Sequence, residues 1–95
     1  MFKDKYHPQV KKDLKKLDRS VRAEIQNTHI QLILNSPCTF DILYGDLSGV
    51  YSYHFRKNKV DYRIAYSINE AKRVVYFLMI AKRENFYDLL KRRLS

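Results

Sequence analysis

The stretch from Val50 to Arg83 constrains the fold of this chain more than any other part of the sequence. It contains three segments, residues 50–57, 60–68 and 74–83, that are rich in β-branched and aromatic residues and are separated by short polar turns. Such segments fit the pleated, half-buried environment of a sheet. The pattern predicts a three-stranded antiparallel meander.

The alternation along these segments assigns their side chains to two faces, because successive residues of a strand point to opposite sides. One predicted face is apolar and consists of Tyr51, Tyr53, Phe55, Tyr62, Ile64, Tyr66 and Ile68, joined by Phe77 and Met79 or their opposite-parity neighbours. The other predicted face is polar and carries His54, Arg56 and Arg63. We expect other elements to cover the apolar face and the clustered cations to carry the function.

The sequence before the meander predicts the helices that cover the apolar face of the sheet. Apolar residues at spacings of three and four indicate a helix at about residues 8–17 and a second at about residues 20–35, the second stripe including Leu32. Residues 1–6 have the mixed pattern of an edge strand, and residues 38–49 are expected to form a loop. The predicted fold class is therefore α+β, with two N-terminal helices packed on a small antiparallel sheet.

The end of the chain predicts a last helix after Arg83, in which Phe86, Leu89, Leu90 and Leu94 form the apolar side. At 95 residues, without linkers or internal repeats, residues 1–95 are expected to form a single domain.

The charge of the chain predicts a polyanionic partner. It has 19 Lys and Arg against 10 Asp and Glu, a net charge of +9, and such an excess on a small domain favours nucleic acid or an acidic protein segment. The only cysteine, Cys38, has no partner for an internal disulfide, which favours a reducing cytoplasm. No segment approaches the length of a membrane span, so no membrane contact is expected.

Several classes of catalytic site are excluded by the residues present. Two isolated glycines cannot form a phosphate-binding loop, and the histidines and Cys38 lack the spacing of metal ligands. We therefore predict no metal and no cofactor. Cleavage of a nucleic acid without metal favours RNA as the substrate, because its 2′-hydroxyl can attack the adjacent phosphate while cations stabilise the developing charge.

The run Asp61-Tyr62-Arg63-Ile64-Ala65-Tyr66 carries a family resemblance. With Arg56 before it, a hydrophobic strand ending in Ala81-Lys82-Arg83 and Tyr87 four residues later, the sequence resembles the RelE/ParE toxin superfamily, and the RelE-like branch in particular. The two-helix beginning from Pro8 to Leu17 fits as well, so the resemblance covers nearly the whole chain.

The resemblance implies a β-α-α-β-β-β-α domain: the toxin of a type II toxin–antitoxin system that cuts mRNA on the ribosome. It also implies an acidic, partly disordered antitoxin as the partner, in a hetero-oligomeric complex. By position, it implies catalytic roles for Arg63, Lys82, Arg83 and Tyr87. Ser52 and His54 stand where many ribosome-dependent relatives have lysine, and we expect His54 to be available for proton transfer.

Other cations are predicted to bind RNA without taking part in the chemistry, namely Arg56, Lys57 and Lys59. Tyr87 has a second interpretation, packing with Phe86 against the sheet. Two alternative functions stay open: a ParE-like inhibitor of DNA gyrase, and a basic nucleic-acid-binding protein without catalytic activity.

Overall fold

Five strands form one mixed sheet in the computed structural model, which describes residues 1–95. In chain order they are β1 (Lys3–Tyr6), β2 (Asp41–Ile42), β3 (Tyr51–Lys57), β4 (Val60–Asn69) and β5 (Val74–Lys82). Their order across the sheet is β1-β5-β4-β3-β2, with β1 parallel to β5 and the other neighbours antiparallel. The predicted meander is confirmed as β3 to β5, and the predicted N-terminal edge strand as β1. The region predicted as a loop contains the short strand β2.

The helices are α1 (Val10–Lys15), α2 (Arg19–Glu24), a π-helical turn (Ile25–His29), α3 (Ile30–Asn35) and α4 (Phe86–Leu94). The segment from α2 to α3 corresponds to the predicted second helix. The first helix is shorter than predicted, because Pro8 and Gln9 form a turn before it. None of the helices combines the length and the hydrophobicity that a bilayer span requires.

The π turn changes which side chains of this helical segment are buried. Ile25 and Ile30 are five residues apart, yet both are buried in the same core. Residues five apart lie on different sides of a regular α-helix, and the wider π turn corrects that mismatch. The predicted stripe is wrong at Leu32, which is 47% exposed, and confirmed at Ile30, Ile33 and Leu34, which it also included and which are buried.

The core between the helices and the sheet follows the predicted apolar face, with one change in β5. Tyr62, Ile64, Tyr66 and Phe77 are buried there, as predicted. Met79 belongs to the other side of the sheet: it pairs with Ala65 while Phe77 pairs with Tyr66, which leaves Leu78 as an extra residue between them. Such a bulge reverses the alternation, so Ile80 takes the place predicted for Met79.

The opposite sheet face is polar over only part of its area. A second core packs against it, formed by Leu47, Val50, Ala65, Leu78, Met79, Phe86 and Leu90. The last two residues belong to α4, which therefore lies on the face predicted to be polar. The cationic surface is confined to the part of β3 and β4 nearest their connecting hairpin.

A buried ion pair connects α1 and α4 at the bulge. Arg93 donates to both oxygens of Asp13, at 2.7 and 2.8 Å, and also to the carbonyl oxygen of Leu78 at 2.9 Å. Asp13 accepts a further hydrogen bond from the backbone N–H of Ile80 at 3.0 Å. The pair thus satisfies backbone groups that the irregular strand leaves unpaired.

A polar network connects the π turn to β3. The buried His29 ring is stacked on Phe55 with ring centres 3.9 Å apart. Its Nδ1 lies 2.6 Å from the Tyr53 hydroxyl and its Nε2 2.8 Å from Glu24, which also lies 3.0 Å from the Lys57 ammonium. The hydrogen bonds from His29 and then from Lys57 hold the pKa of the Glu24 carboxyl below its ordinary value. This network fixes one side of the strand that carries His54 on its other side.

Replacing Glu24 by Gln is expected to weaken the acid dependence of stability. A carboxyl whose pKa is depressed by folding stabilises the protein above its unfolded pKa, and this contribution is lost as the pH falls through the folded pKa. Urea unfolding of wild type and Glu24→Gln should therefore differ most near neutrality, with the difference shrinking below the ordinary pKa of 4.5. A difference that stays constant across the acid range would show that the charge of Glu24 does not contribute.

The hairpin between β3 and β4 has two residues in the left-handed region, Asn58 with φ 54° and Lys59 with φ 64°. Lysine is strained there, whereas glycine adopts this conformation freely. We expect Lys59→Gly to stabilise the fold by about 0.5–1 kcal/mol, the relief of strain less the entropy of the added glycine. Chemical denaturation measures the effect, with Lys59→Ala as the control that removes the charge and keeps Cβ. Equal stability of the two variants would contradict the expectation.

Candidate active site

Cationic side chains gather at the hairpin end of the sheet. His54 and Arg63 are directly opposite each other on β3 and β4, and Arg56 is opposite Asp61. Arg83 follows β5, where its backbone N–H donates to the carbonyl oxygen of Asp61 at 3.0 Å. The five residues line a depression of about 310 Å³, which we call the cationic depression.

Asp61 is the one acidic residue of the cationic depression, and it was not among the predicted site residues. Its carboxylate lies 3.9 Å from Arg56 and 3.7 Å from Arg83, whose side chains are 64% and 66% exposed. Long, solvated ion pairs of this kind contribute little energy. Asp61 therefore leaves both guanidinium groups free to bind a stronger anion. The hairpin register, which pairs Asp61 with Arg56, is the signal that could have identified it.

Arg63 is positioned by Tyr87 from α4. The guanidinium carbon lies 4.8 Å from the centre of the Tyr87 ring, within the range of a cation–π contact. The Tyr87 ring is nearly perpendicular to the Phe86 ring, with centres 5.7 Å apart, and its hydroxyl lies 3.5 Å from the buried Ser52. Both interpretations of Tyr87 thus describe its position: it packs with Phe86, and it lies at the predicted site.

Lys82 is separated from the other predicted catalytic residues. It pairs with Tyr62, whose side chain is in the helix-covered core, whereas its neighbour Ala81 pairs with Arg63 on the opposite face. Lys82 lines a different cavity, of about 570 Å³, together with Asp13 and Arg93. The bulge explains this placement, because one extra residue in β5 reverses the face of every side chain after it.

The three cations predicted to bind RNA lie at three different places on the structure. Arg56 lines the cationic depression. Lys57 lies on the helix side of β3, where it is paired with Glu24 and is only 26% exposed. Lys59 lies in the hairpin and lines a smaller depression that it shares with Arg83.

The geometry brings together His54, Arg63, Arg83 and Tyr87. Two guanidinium groups can each donate two parallel hydrogen bonds to a phosphate. Arg63 is held by the sheet, and Arg83 by its backbone hydrogen bond to Asp61. The exposed imidazole of His54 adds two ring nitrogens that can donate or accept hydrogen bonds beside these guanidinium groups. Within residues 1–95, no three His, Cys, Asp or Glu side chains lie close enough together to hold a metal ion.

A comparison with protein-family models identifies the family. The model of the ParE-like toxin of type II bacterial toxin–antitoxin systems matches residues 5–91. The chain belongs to this toxin family. The resemblance of the sequence to the RelE/ParE superfamily is thereby confirmed. No curated protein matches the chain.

Solved structures of RelE toxins share the fold of this toxin. A variant of the E. coli toxin RelE in the free state superposes with a TM-score of 0.75 at 23% identity, covering 99% of this chain and 98% of that one. The RelBE2 toxin–antitoxin complex from Mycobacterium tuberculosis gives 0.74 at 22% identity, covering 86% and 98%. The archaeal RelE–RelB complex from Pyrococcus horikoshii gives 0.63 at 25% identity, covering 87% and 96%. The predicted α+β RelE-like fold is confirmed.

Proposed function

We propose that this toxin is an mRNA endoribonuclease that cuts message on the ribosome and so inhibits translation in the cytoplasm. The observation that carries the proposal is the convergence of Arg63, Arg83 and His54 on one open depression beside Tyr87. A phosphate bound there meets two forked donors and one imidazole.

In the proposed reaction the 2′-oxygen of RNA attacks the adjacent phosphorus. The bond from phosphorus to the 5′-oxygen breaks, which leaves a 2′,3′-cyclic phosphate and a 5′-hydroxyl. Arg63 and Arg83 stabilise the charge of the pentavalent transition state, the step in which fixed charges have their largest effect. His54 is the candidate for moving the proton between the attacking and departing oxygens. Lys82 receives no chemical step, because it lies on the opposite face of the sheet.

The proposed partner is an acidic, partly disordered antitoxin encoded with the toxin. Two observations support it: the net charge of +9, and the presence of RelE–RelB complexes among the structures with this fold. A disordered acidic chain can wrap a basic domain and neutralise it as it folds.

Association with this antitoxin is expected to slow markedly as the salt concentration rises, since salt screens the attraction that steers oppositely charged partners together. Stopped-flow association rates at low and high ionic strength measure the effect. Rates that do not depend on ionic strength would show that charge is not the recognition element.

Mapping RNA 5′ ends in cells after toxin induction tests the proposed function. Cuts within translated messages, in phase with codons, are the expected result. DNA damage with intact mRNA would instead indicate the gyrase inhibitor, and neither effect would indicate a nucleic-acid-binding protein without catalytic activity.

A further inference from the structure

Tyr44 is the most exposed of the large hydrophobic side chains, with 81% of its surface accessible. It lies in the loop between β2 and β3, at the edge of a cavity of about 440 Å³. The cavity is also lined by Leu43 and Leu47 of the same loop and by Tyr87 and Lys91 of α4. An exposed aromatic ring beside an open cavity offers a flat surface on which a planar ligand can stack.

The loop anchors the backbone on both sides of Tyr44. The backbone N–H of Leu43 donates to the carbonyl oxygen of Val50 at 2.8 Å, and Leu47 is buried in the second core. Between these two anchors, Gly45 has φ +69° and begins a short 3₁₀ turn. Because both ends of the segment are anchored, the ring can bind a ligand without first ordering the loop.

Tyr87 connects this cavity to the cationic depression. The guanidinium carbon of Arg63 lies 4.8 Å from the centre of the Tyr87 ring, and Tyr87 also lines the cavity beside Tyr44. At the rim, the Lys91 ammonium lies 3.8 Å from the Asp46 carboxylate, and both side chains are largely solvated. The cavity thus has aliphatic and aromatic walls and charged groups at its mouth, directly beside the arginine proposed to bind the phosphate.

We propose that this cavity binds a nucleobase of the RNA strand adjacent to the scissile phosphate, with Tyr44 as its stacking residue. The inference rests on the proposed function and adds a base subsite to it. A nucleobase fits because it has an apolar face for Tyr44 and a polar edge for the groups at the mouth. Stacking on an aromatic ring is tolerant of base identity, so the subsite would position the strand without selecting one sequence.

The test is the single-turnover cleavage of mRNA in ribosomes with a vacant A site, at a toxin concentration below saturation. Tyr44→Ala should slow cleavage by about 10–100-fold, the effect expected for losing one base stack. Tyr44→Phe should stay near the wild-type rate, because it keeps the ring, and Tyr44→Leu should resemble Tyr44→Ala, because it keeps only apolar surface. The melting temperatures of all three should match that of the wild type, since the side chain is exposed.

A second series of messages, each with one abasic nucleotide near the cut, identifies the base. At one position, removing the base should slow the wild type by the same factor as the Tyr44→Ala substitution does on the intact message. The abasic nucleotide at that position should not slow Tyr44→Ala any further. Cleavage at the normal rate by Tyr44→Ala or by Tyr44→Leu would overturn the inference. It would also be overturned if every abasic message slowed Tyr44→Ala by as much as it slows the wild type. A wild-type protein that does not cut at all would overturn the proposed function and this inference with it.

Discussion

Replacing Arg63 by Ala is expected to slow the cleavage of ribosome-bound mRNA by about 10²–10³-fold, the usual effect of removing one preorganised donor from a developing charge. Arg63 projects from β4 into the cationic depression, and its contact with protein is the Tyr87 ring rather than the core. The change should therefore cost little stability. Single-turnover cleavage and thermal unfolding of the same preparation measure the two effects separately.

Two further variants show why Arg63 matters. Arg63→Lys keeps the charge and loses the fork, so it should fall between the wild type and Arg63→Ala. Arg19→Ala removes an exposed arginine from the first residue of α2 and should cut at the wild-type rate. If Arg63→Ala folds normally and cuts as fast as Arg19→Ala, Arg63 has no part in the chemistry.

Replacing Arg93 by Met is expected to lower the free energy of unfolding by about 3–5 kcal/mol, the cost of leaving a buried charge without its partner. Asp13 and Arg93 are only 8% and 16% exposed. Without the guanidinium, Asp13 keeps one hydrogen bond from Ile80, and the carbonyl oxygen of Leu78 loses its donor. Methionine retains much of the apolar stem, so the loss reports mainly on the charge and its hydrogen bonds.

Lys91→Met is the matched control, because it breaks one ion pair on the same helix. Lys91 pairs with Asp46 at 3.8 Å, and these side chains are 48% and 84% exposed. A solvated pair of this kind contributes about 0–1 kcal/mol. Equal unfolding midpoints in urea for the two variants would contradict the role assigned to the buried pair.

The parts of the fold that the sequence predicted are those with a regular hydrophobic period. Alternation placed Tyr62, Ile64 and Tyr66 in the helix-covered core, and the structure confirms all three. The deviations at Leu32 and Met79 occur where one residue is added to a regular element, at the π turn and at the bulge beside Leu78. An added residue has little local sequence signal, because tertiary packing rather than intrinsic propensity stabilises it.

In the candidate site, too, the sequence predicted the residues that follow a regular strand pattern and missed those placed by an irregularity or by tertiary packing. Position on β3 and β4 was enough to bring His54, Arg56 and Arg63 to one face, since the hairpin is short and its register follows from the turn. Lys82 was placed with them by the family resemblance, and the bulge places it on the other face. Tyr44 carried no periodic or charge signal, because its significance depends on a cavity formed jointly with the distant helix α4.

The products formed from ribosome-bound mRNA test the central claim most directly. Purified toxin should convert the message into fragments that end in a 2′,3′-cyclic phosphate or its hydrolysis product and begin with a 5′-hydroxyl. A message with a single 2′-deoxynucleotide immediately before the cut should resist cleavage there, because the attacking oxygen is missing. Cleavage of the 2′-deoxy message at an undiminished rate, or fragments that begin with a 5′-phosphate, would contradict the proposed attack by the 2′-hydroxyl.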